Sequence, residues 1–280
     1  MVQYNPKEWF GLIFRFHKSD TFRQLFWVMV CVALYSFILA YLEIEVLSLN
    51  FKSNPALHSI LGFVLSILLV FRTNTAYDRW WEGRRHWGAL TNYSRSLAIK
   101  IKSMLPNKDD KYKQLMYWIG IYPQVLAAHL RNNKFEGFQI PTNVHQPNFV
   151  YHQLVSGLNQ MKQEGKLNDL QLLQLNIELL CYPEVCGACE RIKNTPIPFS
   201  YSMFLKKFIF IYIITMPYGF IKEFEYGIVL VVTFVLYVLG SLELVAEEIE
   251  NPFGTDANDL NLDEMARNIQ LNVEEIEQSF

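Results

Sequence analysis

The chain has 280 residues, 51% of them apolar and 19% charged, with a formal net charge of -2. So much apolar material excludes a disordered chain, and four cysteines exclude a disulfide scaffold. Thirteen glycines and eleven prolines exclude collagen-like and low-complexity architectures, and the near-neutral balance leaves no electrostatic footprint for nucleic acid. The apolar residues are concentrated in four stretches: 26–42, 56–71, 208–221 and 226–242. Each approaches the roughly 17–25 residues needed to cross a bilayer. None shows the charge every few residues that the outer face of a soluble core helix carries. The expectation is an all-α membrane protein with four transmembrane helices per subunit. The first stretch begins too late, and is too long, for the apolar core of a cleaved signal peptide.

In chain order, residues 1–25 form an N-terminal segment holding Lys7, Arg15, Lys18 and Arg23. Spans one and two occupy 26–71, and only Lys52 lies between them. Arg72, Arg79, Arg84, Arg85, Arg95, Lys100 and Lys102 follow the second span, and Lys206 and Lys207 precede the third. This distribution puts both termini and the 72–207 region in the cytoplasm. Span two continues past Phe71 with no proline, so one helix is expected to leave the membrane intact. Along it Glu82 is spaced to pair with Arg79, Arg85 and His86. His58 lies near the outer end of span two, where an interfacial role outweighs a proton relay.

Region 72–207 is too long for a loop. It carries amphipathic helical stretches at 111–130 and 167–180, and a polar loop over 132–147 marked by Gly137, Pro141 and Pro147. Spans three and four occupy 208–242. Segment 243–280 holds eleven acids against Arg267 alone and reads as a solvated acidic segment. No nucleotide-binding glycine loop and no H-E-x-x-H motif is present. Cys186 and Cys189 form a lone C-x-x-C near Cys181, which reads as buried small thiols rather than a metal site. Nothing in the sequence supports an enzyme.

Within span two, Phe63, Ile67 and Phe71 fall at i, i+4 and i+8 on one stripe, beside the small residues Gly62 and Ser66. Small residues let helices approach closely. Taken alone, both stripes could serve only to pack helices. Four helices fill their own centre with side chains. An ion path would therefore lie on the axis of a homo-oligomer, lined by the same helix from each copy, with one apolar stripe acting as a dewetting gate.

Several motifs carry a resemblance to the bestrophins in their bacterial branch. They are Arg79-Trp80-Trp81 after span two, Cys186-Gly187 with Pro198 and Tyr201 before span three, and Asn251-Pro252-Phe253-Gly254 followed by Thr255-Asp256-Ala257-Asn258-Asp259. The resemblance spans residues 10–265. It implies a homopentameric channel for small monovalent ions, chloride-like anions or sodium-like cations, in a bacterial inner membrane. It implies an apolar neck at Phe63, Ile67 and Phe71, and a second apolar ring at the cytoplasmic exit. An ungapped count places that ring on Leu170, with Leu173 as the nearest rival. In animal relatives the acidic cluster binds calcium. Here Asp256 and Asp259 remain, while Thr255, Ala257 and Asn258 stand at other acidic positions. That favours Asp256 or Asp259 as a cap on the next helix over a calcium ligand, and no cofactor is expected. The alternative to a channel is a membrane scaffold that docks a partner through its acidic tail.

Overall fold

A computed structural model describes residues 20–47, 55–105, 109–137 and 144–279. The basic residues Lys7, Arg15, Lys18 and Lys52 lie outside them. The described residues are helical, with no strand among them. The helices are α1 (Asp20–Tyr41), α2 (Pro55–Met104), α3 (Asp110–Leu130), α4 (Gln146–Gln163), α5 (Asp169–Asn194), α6 (Phe199–Phe224), α7 (Ile228–Glu250) and α8 (Leu262–Ser279). A π-helical turn, Leu42–Leu47, extends α1.

The chain divides into two compact units. One comprises residues 2–78 and 196–250; the other comprises 79–195 and 251–280. Helix α2 is continuous over 50 residues and contributes to both, as expected from a run free of proline. The changeovers lie beyond the ends of the apolar stretches, because charged residues that follow those stretches are folded into the first unit.

The first unit is apolar. Three helical stretches are long and apolar enough to cross a membrane: Thr21–Val46, Pro55–Met104 and Phe199–Glu250. The last is not straight. Glu225 adopts φ 48°, and a 3-10 turn over Glu225–Gly227 reverses the chain. Lys206 on α6 then pairs with Glu247 on α7 at 2.8 Å, so α6 and α7 form an antiparallel hairpin. Leu65 and Leu69 of α2 are buried with Leu205, Ile209, Ile213, Ile228 and Val232. The Tyr35 hydroxyl donates to the Ile214 carbonyl and the Tyr201 hydroxyl to the Leu68 carbonyl, binding α6 to α1 and α2. Gly62 permits the closest approach. A Cβ there would lie 2.6 Å from the Tyr212 hydroxyl, so no larger residue fits without moving that ring. His58 is buried within this unit and stacked on Tyr212, with ring centroids 4.3 Å apart.

The second unit is a helical bundle with its own core. Trp87, Leu97 and Ile101 of α2 are buried with Tyr112 and Tyr122 of α3, Leu154 of α4, Leu175 and Tyr182 of α5, and Ile269 of α8. Asn168 opens α5 with a complete capping box to Gln171, which satisfies amides that would otherwise be orphaned. Helix α5 runs well beyond the expected 167–180. Helix α8 is amphipathic and buries Leu262, Ala266, Ile269, Val273 and Ile276. The acidic segment is therefore no uniform solvated face: its end is a docked helix with acids only on the outer side.

Candidate pore helix and its flanking charges

Helix α2 presents two opposite faces in the first unit. Leu65, Leu69, Arg72 and Ala76 are buried at spacings of 4, 3 and 4. Phe63, Ile67 and Phe71 are 67%, 41% and 62% exposed. Two residues separate the sets, or about 200° of helix rotation. Among the described residues the stripe therefore points away from the face by which α2 packs in this unit. That packing falls to Gly62 and the Leu65–Leu69 face, while Ser66 returns its hydroxyl to the Gly62 carbonyl at 2.8 Å.

The buried face ends in charge. Arg72 is 1% exposed and holds the Glu250 carboxylate at 2.7 Å, with Glu243 at 3.6 Å. Glu250 also accepts the Ile197 amide at 2.7 Å. A buried guanidinium is tolerable only when paired, and here α7 supplies both acids. Glu243 and Glu250 are therefore not the solvated acids expected of this segment. The available signal was the spacing of Glu243, Glu247 and Glu250, which puts three acids on one face of a helix.

In the second unit Leu170 and Leu173 of α5 are 65% and 64% exposed, and Ile177 and Leu180 are exposed with them. The four form one outward apolar stripe, so exposure does not separate Leu170 from Leu173. The Arg79-Trp80-Trp81 motif serves to tie elements together. Arg79 donates to the carbonyls of Ile192 and Thr195 at the end of α5, where a cation suits the helix dipole. The Trp80 indole donates to the Asn258 carbonyl at 3.0 Å. Arg79 is thus not the partner of Glu82. Glu82 instead pairs with Arg191 at 2.6 Å and with His86 at 3.7 Å.

The loop from Asn251 to Asn261 corrects the expected cap. Asn261 occupies the cap position of α8: its side chain accepts the Glu264 amide at 3.4 Å and donates to the Glu264 carboxylate at 2.6 Å. Asp256 and Asp259 do neither. Asp259 is buried and one of its carboxylate oxygens accepts the Asp256 amide at 2.7 Å, while Asp256 itself lies exposed. The Asp259 amide returns to the Asp256 carbonyl at 3.1 Å. Gly254 is required here, since a Cβ would sit 2.6 Å from that same Asp259 oxygen. Phe253 anchors the loop, fully buried against Gly83. Asp259 is thus bonded into its own loop, while Asp256 faces solvent.

Cys181, Cys186 and Cys189 are buried and reduced. Burial pushes the Cys181 and Cys186 thiols up to about 12, with nearby Glu184 and Glu190 adding to the effect. These are packing groups, not nucleophiles.

Comparison with known proteins gives a consistent picture. Residues 1–275 match the family described as bacterial/fungal bestrophin protein. A voltage-dependent anion channel-forming protein of Synechocystis is 30% identical over 97% of this chain and 92% of its own length. A protein of the same description from Nostoc is 32% identical over 96% of this chain and 92% of its own. A crystal structure of a bacterial bestrophin homolog from Klebsiella pneumoniae superposes with a TM-score of 0.83 at 25% identity, covering 91% of this chain and all of that one. A family match over nearly the whole chain, with relatives at 30–32% identity over almost their full length, places the chain in the bacterial and fungal bestrophin family.

Proposed function

We propose that this chain forms a homopentameric anion channel in a bacterial inner membrane, with α2 of each copy facing the axis. Phe63, Ile67 and Phe71 form its hydrophobic neck. The observation that carries this reading is the exposure of that stripe on the face of α2 opposite its packed side. A stripe left uncovered by its own subunit is free to line a pore, and apolar rings gate by dewetting. The antiparallel α6–α7 hairpin supplies two crossings, for four spans in all. Both termini lie on the cytoplasmic side, as the distribution of lysine and arginine requires. Leu170 forms a second apolar ring on the cytoplasmic side. The preference for anions rests on the names of the relatives, because apolar neck side chains carry no sign. Calcium is not required, given the self-bonded turn at Asp256 and Asp259. The scaffold alternative loses its main support, since α8 is docked rather than free.

Flux from reconstituted vesicles tests this directly. Chloride-loaded vesicles containing the protein should release chloride, and release should persist in a calcium chelator. Replacing Phe63, Ile67 and Phe71 together by alanine should widen the neck and raise conductance or open probability. Unchanged currents from a correctly assembled triple variant would mean that the stripe meets only lipid. Silence in chelator, reversed by micromolar calcium, would overturn the reading of the Asp256–Asp259 turn.

A further inference from the structure

A cluster that channel function does not use lies in the second unit, where α3, α4 and α5 meet. His129 comes from the last turn of α3 and His145 precedes the first turn of α4. Glu190 lies near the end of α5. The Nε2 atoms of His129 and His145 lie 2.6 Å and 2.7 Å from the same Glu190 oxygen. All three donor atoms lie within 4.8 Å of one another, and the two rings are stacked edge to face at 4.3 Å. The three side chains are about one-third exposed or less, so the cluster can be reached from water. Among the described residues no lysine or arginine pairs with Glu190. Burial alone would raise its carboxyl, but the hydrogen bonds from His145 and His129 prevail and hold it below its usual range.

We propose that His129, His145 and Glu190 form a binding site for a divalent transition-metal cation of the zinc class, which clips α3, α4 and α5 together. Two imidazole nitrogens and one carboxylate are a donor set that suits zinc, with water in the fourth position. Tetrahedral coordination at about 2.0–2.2 Å needs donors roughly 3.3 Å apart. The Glu190 oxygen must therefore draw back from each imidazole nitrogen by less than an ångström, within the reach of side-chain rotation. The proton balance is defined by the helix cap. His145 Nδ1 accepts the Asn148 amide at 3.2 Å, so the neutral ring carries its proton on Nε2 and donates it to Glu190. Metal binding at Nε2 moves that proton to Nδ1, and the cap bond is given up. That bond is long, so its loss is a small opposing cost. A neutral imidazole releases no net proton in this exchange.

The test uses the full-length assembled protein in detergent, stripped with a chelator and titrated with zinc chloride by calorimetry. One zinc per chain is expected, with a raised thermal unfolding midpoint. His145→Asn retains a capping side chain and removes the ligand; Glu190→Gln and His129→Gln remove the other two without disturbing that cap. Each should weaken binding tenfold or more and abolish the zinc-dependent rise in midpoint. Cys186→Ser, which alters the thiol beside Glu190, should leave binding unchanged. Cobalt substitution should give visible d–d absorption with no thiolate charge-transfer band. No saturable zinc at one per chain would overturn the proposal. So would binding that survives all three ligand variants, or that disappears in Cys186→Ser.

Discussion

Arg72 shows how a single side chain ties the charged end of the buried α2 face to α7. Its guanidinium is buried and shared between Glu250 and Glu243, so its removal strands two acids with little water. Breaking a buried pair in this way costs about 3–5 kcal/mol, whereas replacing the whole cluster with uncharged groups costs far less. Arg72→Ala should therefore lower the thermal midpoint of assembled protein sharply. The combination Arg72→Met, Glu243→Gln, Glu250→Gln should recover much of the loss, since glutamine still accepts the Ile197 amide. A single variant that melts like the parent would show that water reaches the cluster. The α5 thiols behave in the opposite sense. Their pKa values are raised, from the ordinary 9.0 to about 12 for Cys181 and Cys186. The stability they contribute is complete below pH 9 and is lost as pH rises toward 12. In a Cys31→Ser background, maleimide at pH 8 should label them only after denaturation. Fast labelling of the folded protein would reveal local opening of α5.

Among the elements, α8 separates two readings of the same acids. Asn261 forms the reciprocal bonds with Glu264, so Asn261→Ala should cost about 1 kcal/mol, while the exposed Asp256 side chain should tolerate alanine. The reverse result, read from thermal melts of the two variants, would restore Asp256 as the cap. Helix α2 was legible in the sequence because nothing in its 50 residues breaks a helix and its apolar period is unambiguous. The α6–α7 hairpin was legible from hydropathy alone. The full length of α5 was not, because its later turns mix Cys, Tyr, Pro183 and charge, and only tertiary packing resolves such a segment. The partners of Glu82 were legible only in part: local spacing finds His86, but Arg191, over a hundred residues away, is brought to it by the fold alone. The His129–His145–Glu190 cluster left no sequence signal at all, since its members are separated by 16 and 45 positions and follow no motif spacing.

At the scale of the whole molecule, the arrangement of apolar faces bears on assembly. Phe63, Ile67 and Phe71 are uncovered in a unit that lipid can surround. Leu170, Leu173, Ile177 and Leu180 are uncovered in the other unit, whose helices carry charges on their outer faces and whose α5 opens with Asn168 and Asp169. Lipid does not account for a leucine-rich stripe there. An apolar patch of that kind marks contact with another chain or an apolar constriction, and a ring of copies provides both. Native mass spectrometry in mild detergent should give five times the 32.9 kDa chain. Within the stripe the roles should divide. Ile177→Asp and Leu180→Asp place a charge on the later turns of the stripe and should shift the protein to smaller species if those turns lie between copies. Leu170→Ala should leave the pentamer intact and alter the permeability ratio of small to large anions more than open probability, as befits a single ring acting as a size filter. If Leu173→Ala changes that ratio and Leu170→Ala does not, the ring sits one helical turn further along. A monomeric mass for the unaltered chain would remove the axial pore altogether, because four helices packed around their own side chains leave no path for an ion.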